Sequence, residues 1–594
     1  MRGSIRLREE TPLSVAREIV VRHYDAFPDY PLAEGHLLAG YAALGQRLAS
    51  SPPIYRGGAR LWTIDGMSGV AWDMLQAGLQ EALAAYRVVF IDVAEARLEG
   101  EAVRQLLADA LDNEDAVFGK LYQGGLLDFF DPDRLRIVRN RVLEEVRQAE
   151  LVVCFGQGSA LLNLEGGKAW ADLPKENITS MASAGRDILL GTPIYPAVKS
   201  MYWVDWPVME HHKTALLSEL DLYLDMANPQ YPLFVEGSAL RASLFALSCQ
   251  PFRVKPVFYP GAWGGQWMKH YMQLDPSKPN YAWSYELITP ENGIIFRDNE
   301  LKLEIPFEML IAQETINVQG PKVAERFGTS FPIRFNYDDT LVGGNLSCQV
   351  HPRTEYMRRE FGLSYTQDET YYVLQAGENG LCYLGLKEGI DPDAFRLAAE
   401  RARDAGIAFD TEEFVNAWPT RMHDLFLIPA GTVHNSGANN VVLEISSTPY
   451  LYTFKIYDYL RRDLTGELRP IHIERAWDNI DFSRRTRWVR QNLIPSPRIL
   501  QQGEGWAEYL IGEHPLMFFA IHRAEFGDHF ESDTGKERFH VLNLVEGEQV
   551  LVESEHGAHP LHYAETIVIP AATGRYRLRN QARGVCKVVK AFVR

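Results

Sequence analysis

The sequence predicts a multidomain α/β-plus-β protein: a parallel-sheet unit first, then two β-barrel units, the earlier of them enlarged by a helical insertion. Three observations predict it. The apolar runs RVVFIDV (87–93) and LVVCFG (151–156) have strand length and lie between helical stretches, the pattern of parallel strands covered on both faces. Beyond residue 250 the chain turns to short β-branched and aromatic runs separated by turn residues, as in a sandwich or small barrel. DLFLIPAGTVH (424–434) and ETIVIPAATGR (565–575) occupy comparable places in two successive β segments, a weak internal repeat that suggests related barrels in tandem.

Taken in order, residues 12–24 and 38–50 carry helical spacing, and LWTID (61–65) is a short strand entering a glycine turn. WDMLQAGLQEALAAY (72–86) is amphipathic, and residues 102–112 and 133–149 supply further helices, which closes an α/β unit over 1–245. Proline and glycine then cluster in PFRVKPVFYPGAWGGQW (251–267). TYYVLQA (370–376), LCYLGL (381–386), DLFLIPAG (424–431) and NVVLEISS (440–447) read as strands, interrupted by the polar helix DPDAFRLAAERARDAG (391–406), giving a second unit over 246–495. LMFFAIHRAEF (516–526), RFHVLNLVEGEQVLVES (538–554), ETIVIPAA (565–572) and VCKVVKAFV (585–593) make a terminal β unit over 496–594.

Composition narrows the function classes. The 594 residues carry 60 Lys+Arg against 78 Asp+Glu, a net charge of −18. That argues against broad nucleic-acid binding, which needs clustered positive charge, but not against an anionic metabolite held by a few local cations. No run approaches the ~20 apolar residues of a membrane span, and the charged start lacks the apolar stretch of a signal peptide. The five cysteines are scattered without a CxxC pair, so neither a disulfide framework nor a thiolate zinc site is indicated. A cytoplasmic protein is expected; oligomeric state is not legible.

IDGMSGVAWD (64–73) follows a strand and precedes a helix, where a phosphate-cradling loop belongs. Gly66 and Gly69 are present, but Val70, Ala71 and Trp72 stand where Lys-Ser/Thr would hold phosphate and Mg²⁺. The region resembles a degraded P-loop kinase core of the nucleoside-kinase type, and a scaffold without ATP chemistry is expected.

LSCQVHPRTEY (346–356) is the most informative segment. Alternation along a strand puts Gln349 and His351 on one face, with Ser347. A Gln and a His facing a barrel interior need a partner. Glu369 opens the next strong strand, and His434 follows a proline–glycine turn. One Gln, two His and one Glu make an N/O set suited to zinc, with Mn, Co or Fe also admissible.

LSCQVHP, ETYYVLQA, YLGLKEGID, FLIPAGTVH, LEIS and TFKIYDYLR, with WGGQW (263–267) upstream, resemble in content and order the class I phosphomannose isomerases (mannose-6-phosphate isomerases), over about 250–594. The resemblance implies a cupin fold with a second cupin-like unit, one zinc ion per chain on Gln349, His351, Glu369 and His434, and interconversion of mannose 6-phosphate and fructose 6-phosphate. It also implies that Glu444 is an acid/base candidate, that Ser347, Lys387 and Trp263 contact the sugar phosphate, and that the terminal barrel, where His529 and His540 lack matching partners, is metal-free. Two departures stand out. Gln367 replaces a usual Lys two positions before the metal Glu, and Lys455 replaces a usual Arg. A point charge is not a planar fork, so Lys455 is expected to take the active-site cationic role. The alternative is a non-catalytic metal cupin that binds a sugar phosphate and signals through the first unit.

Overall fold

The structure, a computed structural model, describes residues 24–594 except 53, 55–57, 114, 116, 187, 451, 463–465 and 467. The helix expected over 12–24 lies outside the described residues but for Tyr24. Five parallel strands centre the first sheet, in the order Val88–Asp92, Leu151–Phe155, Arg60–Gly66, Gly167–Asp172 and Leu222–Asp225. Leu233–Glu236 and Leu38–Ala39 extend it antiparallel. Every residue of Leu151–Phe155 is buried, as a strand covered on both faces requires. The helix expected from 38 starts at Tyr41, because Leu38 and Ala39 are drawn into the sheet edge. Gly167–Asp172 gave no sequence signal, since its glycine and charges break the apolar run.

The second unit is two antiparallel sheets. One has six strands, in the order Leu425–Ile428, Glu369–Ala376, Asn440–Ser446, Arg334–Asp339, Trp283–Leu287 and Val257–Tyr259. The other has five, in the order Val415–Pro419, Leu381–Leu386, His434–Ser436, Cys348–Val350 and Phe454–Tyr457. The expected insertion is the helix Pro392–Ala405, capped by the Asp391 carboxylate.

The terminal unit repeats this plan. Its larger sheet runs Thr566–Ile569, His540–Glu546, Cys586–Val593, Phe519–Phe526, Trp506–Glu513 and Arg498–Gly503. In both units the strand preceding the Pro-Ala turn is outermost, beside the strand opening with Glu369 or with His540; Glu369 faces Ile428 as His540 faces Ile569.

The units share one buried apolar core reaching from Tyr30 to Val593. Asp29–Pro31, ahead of the first sheet's strands, pairs in parallel with Gly293–Asp298. A buried ionic chain crosses the same boundary. Lys175 lies 2.6 Å from Glu210 and 3.3 Å from Glu308, on helix Phe307–Gln313; Lys213 bridges Glu210 (2.8 Å) and Asp172 (3.2 Å). No helix among the described residues is long and apolar enough to cross a membrane. Removing Lys175, whose side chain is 1% exposed, leaves two buried carboxylates facing each other. Lys175→Ala is therefore expected to cost about 3–5 kcal/mol, read as a lower denaturant midpoint; an unchanged midpoint would show the chain of charges to be structurally idle.

Candidate metal centre

The four residues singled out as metal ligands converge from both sheets of the second unit. Gln349, on Cys348–Val350, pairs directly with His434, which opens its own strand after a turn at Gly431 (φ +90°). His351 follows Gln349 on the same face, and Glu369 opens the facing sheet's second strand. His351, Glu369 and His434 are at most 1% exposed, with candidate ligand atoms within 4.8 Å of one another.

Hydrogen bonding fixes the chemistry of these atoms. His351 Nδ1 donates to the Tyr452 carbonyl and His434 Nδ1 to the Thr432 carbonyl, each at 2.8 Å. A carbonyl only accepts, so Nδ1 carries a proton in each ring, and in the neutral imidazole Nε2 then presents a lone pair inward. Those lone pairs meet the Glu369 carboxylate: His351 Nε2 touches Oε2, and His434 Nε2 is 3.5 Å from it. Glu369 Oε1 is buried without a hydrogen-bond partner. With both rings neutral, this cluster is compensated by a cation held between the two nitrogens and the carboxylate. The donor set thus fits a divalent metal, and its imidazole and oxygen chemistry suits zinc. The Gln349 amide is 3.3 Å from His434 Nε2, and Ser347 Oγ donates to Gln349 Oε1 at 2.9 Å. Ser347 is thus placed to orient a ligand.

A cavity of about 300 Å³ opens beside these atoms, walled by Ser347, Gln349, Gln367, Glu444, Lys455 and Trp263 among others. Lys455 is the direct strand partner of Gln349. With Arg461 and Arg469 it surrounds Asp458, at 3.5, 3.0 and 3.0 Å respectively. Three cations on one carboxylate leave positive charge at the cavity wall. Burial pushes the Lys455 ammonium down to about 8, against the pull of Asp458. Trp263 is buried, edge-on to Trp283, with the Arg469 guanidinium over its ring. Gln367, in the place of the usual lysine, accepts from the Tyr452 backbone N–H at 3.2 Å and reaches Glu369 at 3.4 Å. Lys387 stands apart from the other candidates. Its backbone N–H is tied to the Phe414 carbonyl as the chain leaves strand Leu381–Leu386, and its side chain is exposed, outside the cavity lining.

Sequence reasoning missed the strand Arg334–Asp339. Arg334, Asn336 and Asp338 alternate toward the cavity while Phe335 and Tyr337 face away into the core, and that period-2 polar stripe was the available signal. Arg334 donates to Glu444 Oε1 at 2.5 Å and Asn336 to Oε2 at 3.1 Å. Asp338 has no such cation, and burial, then the negative charges of Glu444 and Glu369, hold its carboxyl well above the usual range. The cavity wall therefore sets a carboxyl group bonded to a guanidinium beside one whose proton affinity burial raises, and unequal environments of this kind separate base from acid.

The glycine turn of the first unit is filled by the chain itself. Asp65 accepts from the backbone N–H groups of Gly66, Gly158 and Ala160 at 2.7–2.9 Å and contacts His212 at 2.9 Å. Ser68 donates to Asp205 at 2.6 Å. A Cβ on Gly69 would meet the Met181 side chain at 2.8 Å. In the terminal barrel the strand positions matching Gln349, Glu369 and His434 hold Asp533, His540 and Arg575. A larger cleft there, about 990 Å³, is lined by groups that pair among themselves, such as Lys590 with Glu508 at 2.7 Å and Arg577 with Glu531 at 2.5 Å.

Residues 40–248 match a family model described as a domain of unknown function (DUF8485). A mannose-6-phosphate isomerase of Streptococcus mutans is 25% identical over 232 residues, which cover 39% of this chain and 67% of that protein. Mannose-6-phosphate isomerase ManA of Bacillus subtilis is 21% identical over 339 residues, 57% of this chain and 98% of its own. Among solved structures, the mannose 6-phosphate isomerase from Bacillus subtilis aligns at 18% identity with a TM-score of 0.46, over 58% of this chain and 99% of that one. The chain's relatives and structural neighbours are thus mannose-6-phosphate isomerases. Ser347→Ala is expected to weaken zinc retention about 10–100-fold, measured by competition with a chromogenic chelator. Retention equal to that of the parent chain would remove Ser347 from the account.

Proposed function

We propose that the chain is a metal-dependent aldose–ketose isomerase that interconverts mannose 6-phosphate and fructose 6-phosphate, with a cupin-type catalytic unit over 246–495, a terminal cupin-like unit over 496–594 and an α/β unit over 1–245. The observation that carries the reading is the adjacency of the buried His351–Glu369–His434 donor cluster to a cavity that Gln349, Glu444 and Asp338 line together. Aldose–ketose isomerisation moves one proton between C1 and C2 and another between the two oxygens, and a base beside an acid performs both transfers. Gln349, His351, Glu369 and His434 would hold the metal. When bound, it polarises the substrate oxygens and lowers the cost of negative charge developing on them.

The remaining work falls to the chain. Glu444, hydrogen-bonded to Arg334, takes the proton from carbon, and Asp338 gives its proton to oxygen. Lys455 and Arg469 supply positive charge for the enediolate and the phosphate. Trp263 offers an apolar face to the carbon chain. The filled glycine turn supports an α/β unit of P-loop-like descent without ATP chemistry. The uncharged Gln367 favours one second reading, a sugar-phosphate sensor without turnover.

A coupled assay with mannose 6-phosphate, before and after chelation, tests the proposal. Turnover lost on chelation and restored by Zn²⁺ is expected; thermal stabilisation by the sugar phosphate without turnover would identify the sensor. Glu444→Gln and Asp338→Asn should each lower kcat by about 10²–10⁴-fold with metal content unchanged, and full activity in both would overturn the acid/base assignment. Lys455 is a cation only below about 8, so kcat/KM should fall as pH rises through that value. Lys455→Arg should move the alkaline limb upward, and an unmoved limb would assign it to another group.

A further inference from the structure

The α/β unit contributes directly to this cavity. Val117, Phe118, Tyr202 and Trp203 line it from outside the β units. Phe118 packs against Tyr452, Phe454 and His472 with ring centroids 6.4, 5.2 and 5.0 Å apart, and Tyr202 lies 4.6 Å from Tyr450. Trp203 stacks on Phe361 at 5.3 Å. Both stacked residues sit in π-type turns, Met201–Asp205 and Met357–Phe361, a local geometry that recurs at functional sites.

The loop bearing Phe118 is held by a buried lysine used only for positioning. Lys199, 2% exposed, donates to the Leu111 and Asp115 carbonyls at 2.9 and 2.8 Å and to Asn113 Oδ1 at 2.7 Å. Asp115 Oδ1 accepts from the N–H groups of Val117 and Phe118, and Oδ2 pairs with Arg475 of the second unit at 2.9 Å. Trp203 Nε1 donates to the Val117 carbonyl at 3.0 Å. The charged residues of the cavity (Arg334, Asp338, Glu444, Lys455, Arg469) all come from the β unit, whereas the four from the α/β unit are aliphatic or aromatic.

We infer that the α/β unit is the roof of the catalytic cavity: Phe118 and Trp203 exclude water and press the carbon chain of an open-chain sugar phosphate against the metal-side wall, and Lys199 and Asp115 are the residues that position them. The identity of the sugar phosphate rests on the isomerase reading; the roof does not. A roof of this kind acts on binding and on access to the centre, not on the proton transfers.

The test uses the full chain loaded with Zn²⁺. Trp203→Ala and Phe118→Ala should speed extraction of the metal by a chelator and raise KM for mannose 6-phosphate about ten-fold with kcat nearly unchanged, while Trp203→Phe stays near the parent. Should the alanine variants fail to fold, Val117→Trp, at a half-open edge of the cavity, should slow extraction and raise KM. Lys199→Met should reproduce the Phe118→Ala pattern. If the parent chain does not turn over mannose 6-phosphate but extraction responds as stated, the isomerase reading falls and the roof stands. Extraction rates equal to the parent in every folded variant, Val117→Trp included, would overturn the roof whatever the kinetics.

Discussion

The structure turns on one electrostatic constraint: a fully buried carboxylate, Glu369, faced by two imidazole nitrogens whose tautomers are set by backbone carbonyls. Each group alone would be costly to bury. Together they cancel only if a positive charge sits among them. The strands that deliver them come from opposite sheets, so sheet packing, strand register and the turn at Gly431 all serve the convergence of these three groups. The carboxyl pair beside it is arranged the other way. Arg334 pairs with Glu444, while burial raises the neighbouring Asp338 carboxyl above its usual range.

Much of this was legible before any coordinates. Strand alternation placed Ser347, Gln349 and His351 on one face, and the Pro-Gly turn aimed His434 inward. The repeat seen in IPAGTVH and IPAATGR reappears as two sheets with the same strand order. What was not legible is what depends on tertiary placement. Arg334, Asn336 and Asp338 lie in a strand whose polar stripe hides its apolar half. Arg469 approaches through a turn, where periodicity says nothing. Phe118 and Trp203 come from sequence at least 146 residues before the ligands. Lys387 looked like a loop cation able to close on an anion, yet its side chain is exposed outside the cavity lining, and local composition could not reveal that placement.

The division of labour among the units follows from charge. The chain as a whole is acidic, at −18, but Lys455 and Arg469 of the cavity wall gather with Arg461 around one carboxylate, and low-dielectric walls make such local charge count for more than the distant surface. The terminal barrel keeps the strand plan and has exchanged its ligand positions for Asp533, His540 and Arg575. The α/β unit keeps a glycine turn and fills it with Asp65 and apolar side chains.

The account is tested most directly by loading the full chain with Co²⁺ and measuring stoichiometry together with X-ray absorption fine structure. One ion per chain, with two imidazole nitrogens and only oxygen ligands besides, is the predicted result. A chain that binds no ion, or one whose ion carries sulfur ligands, would contradict the metal centre on which the rest depends.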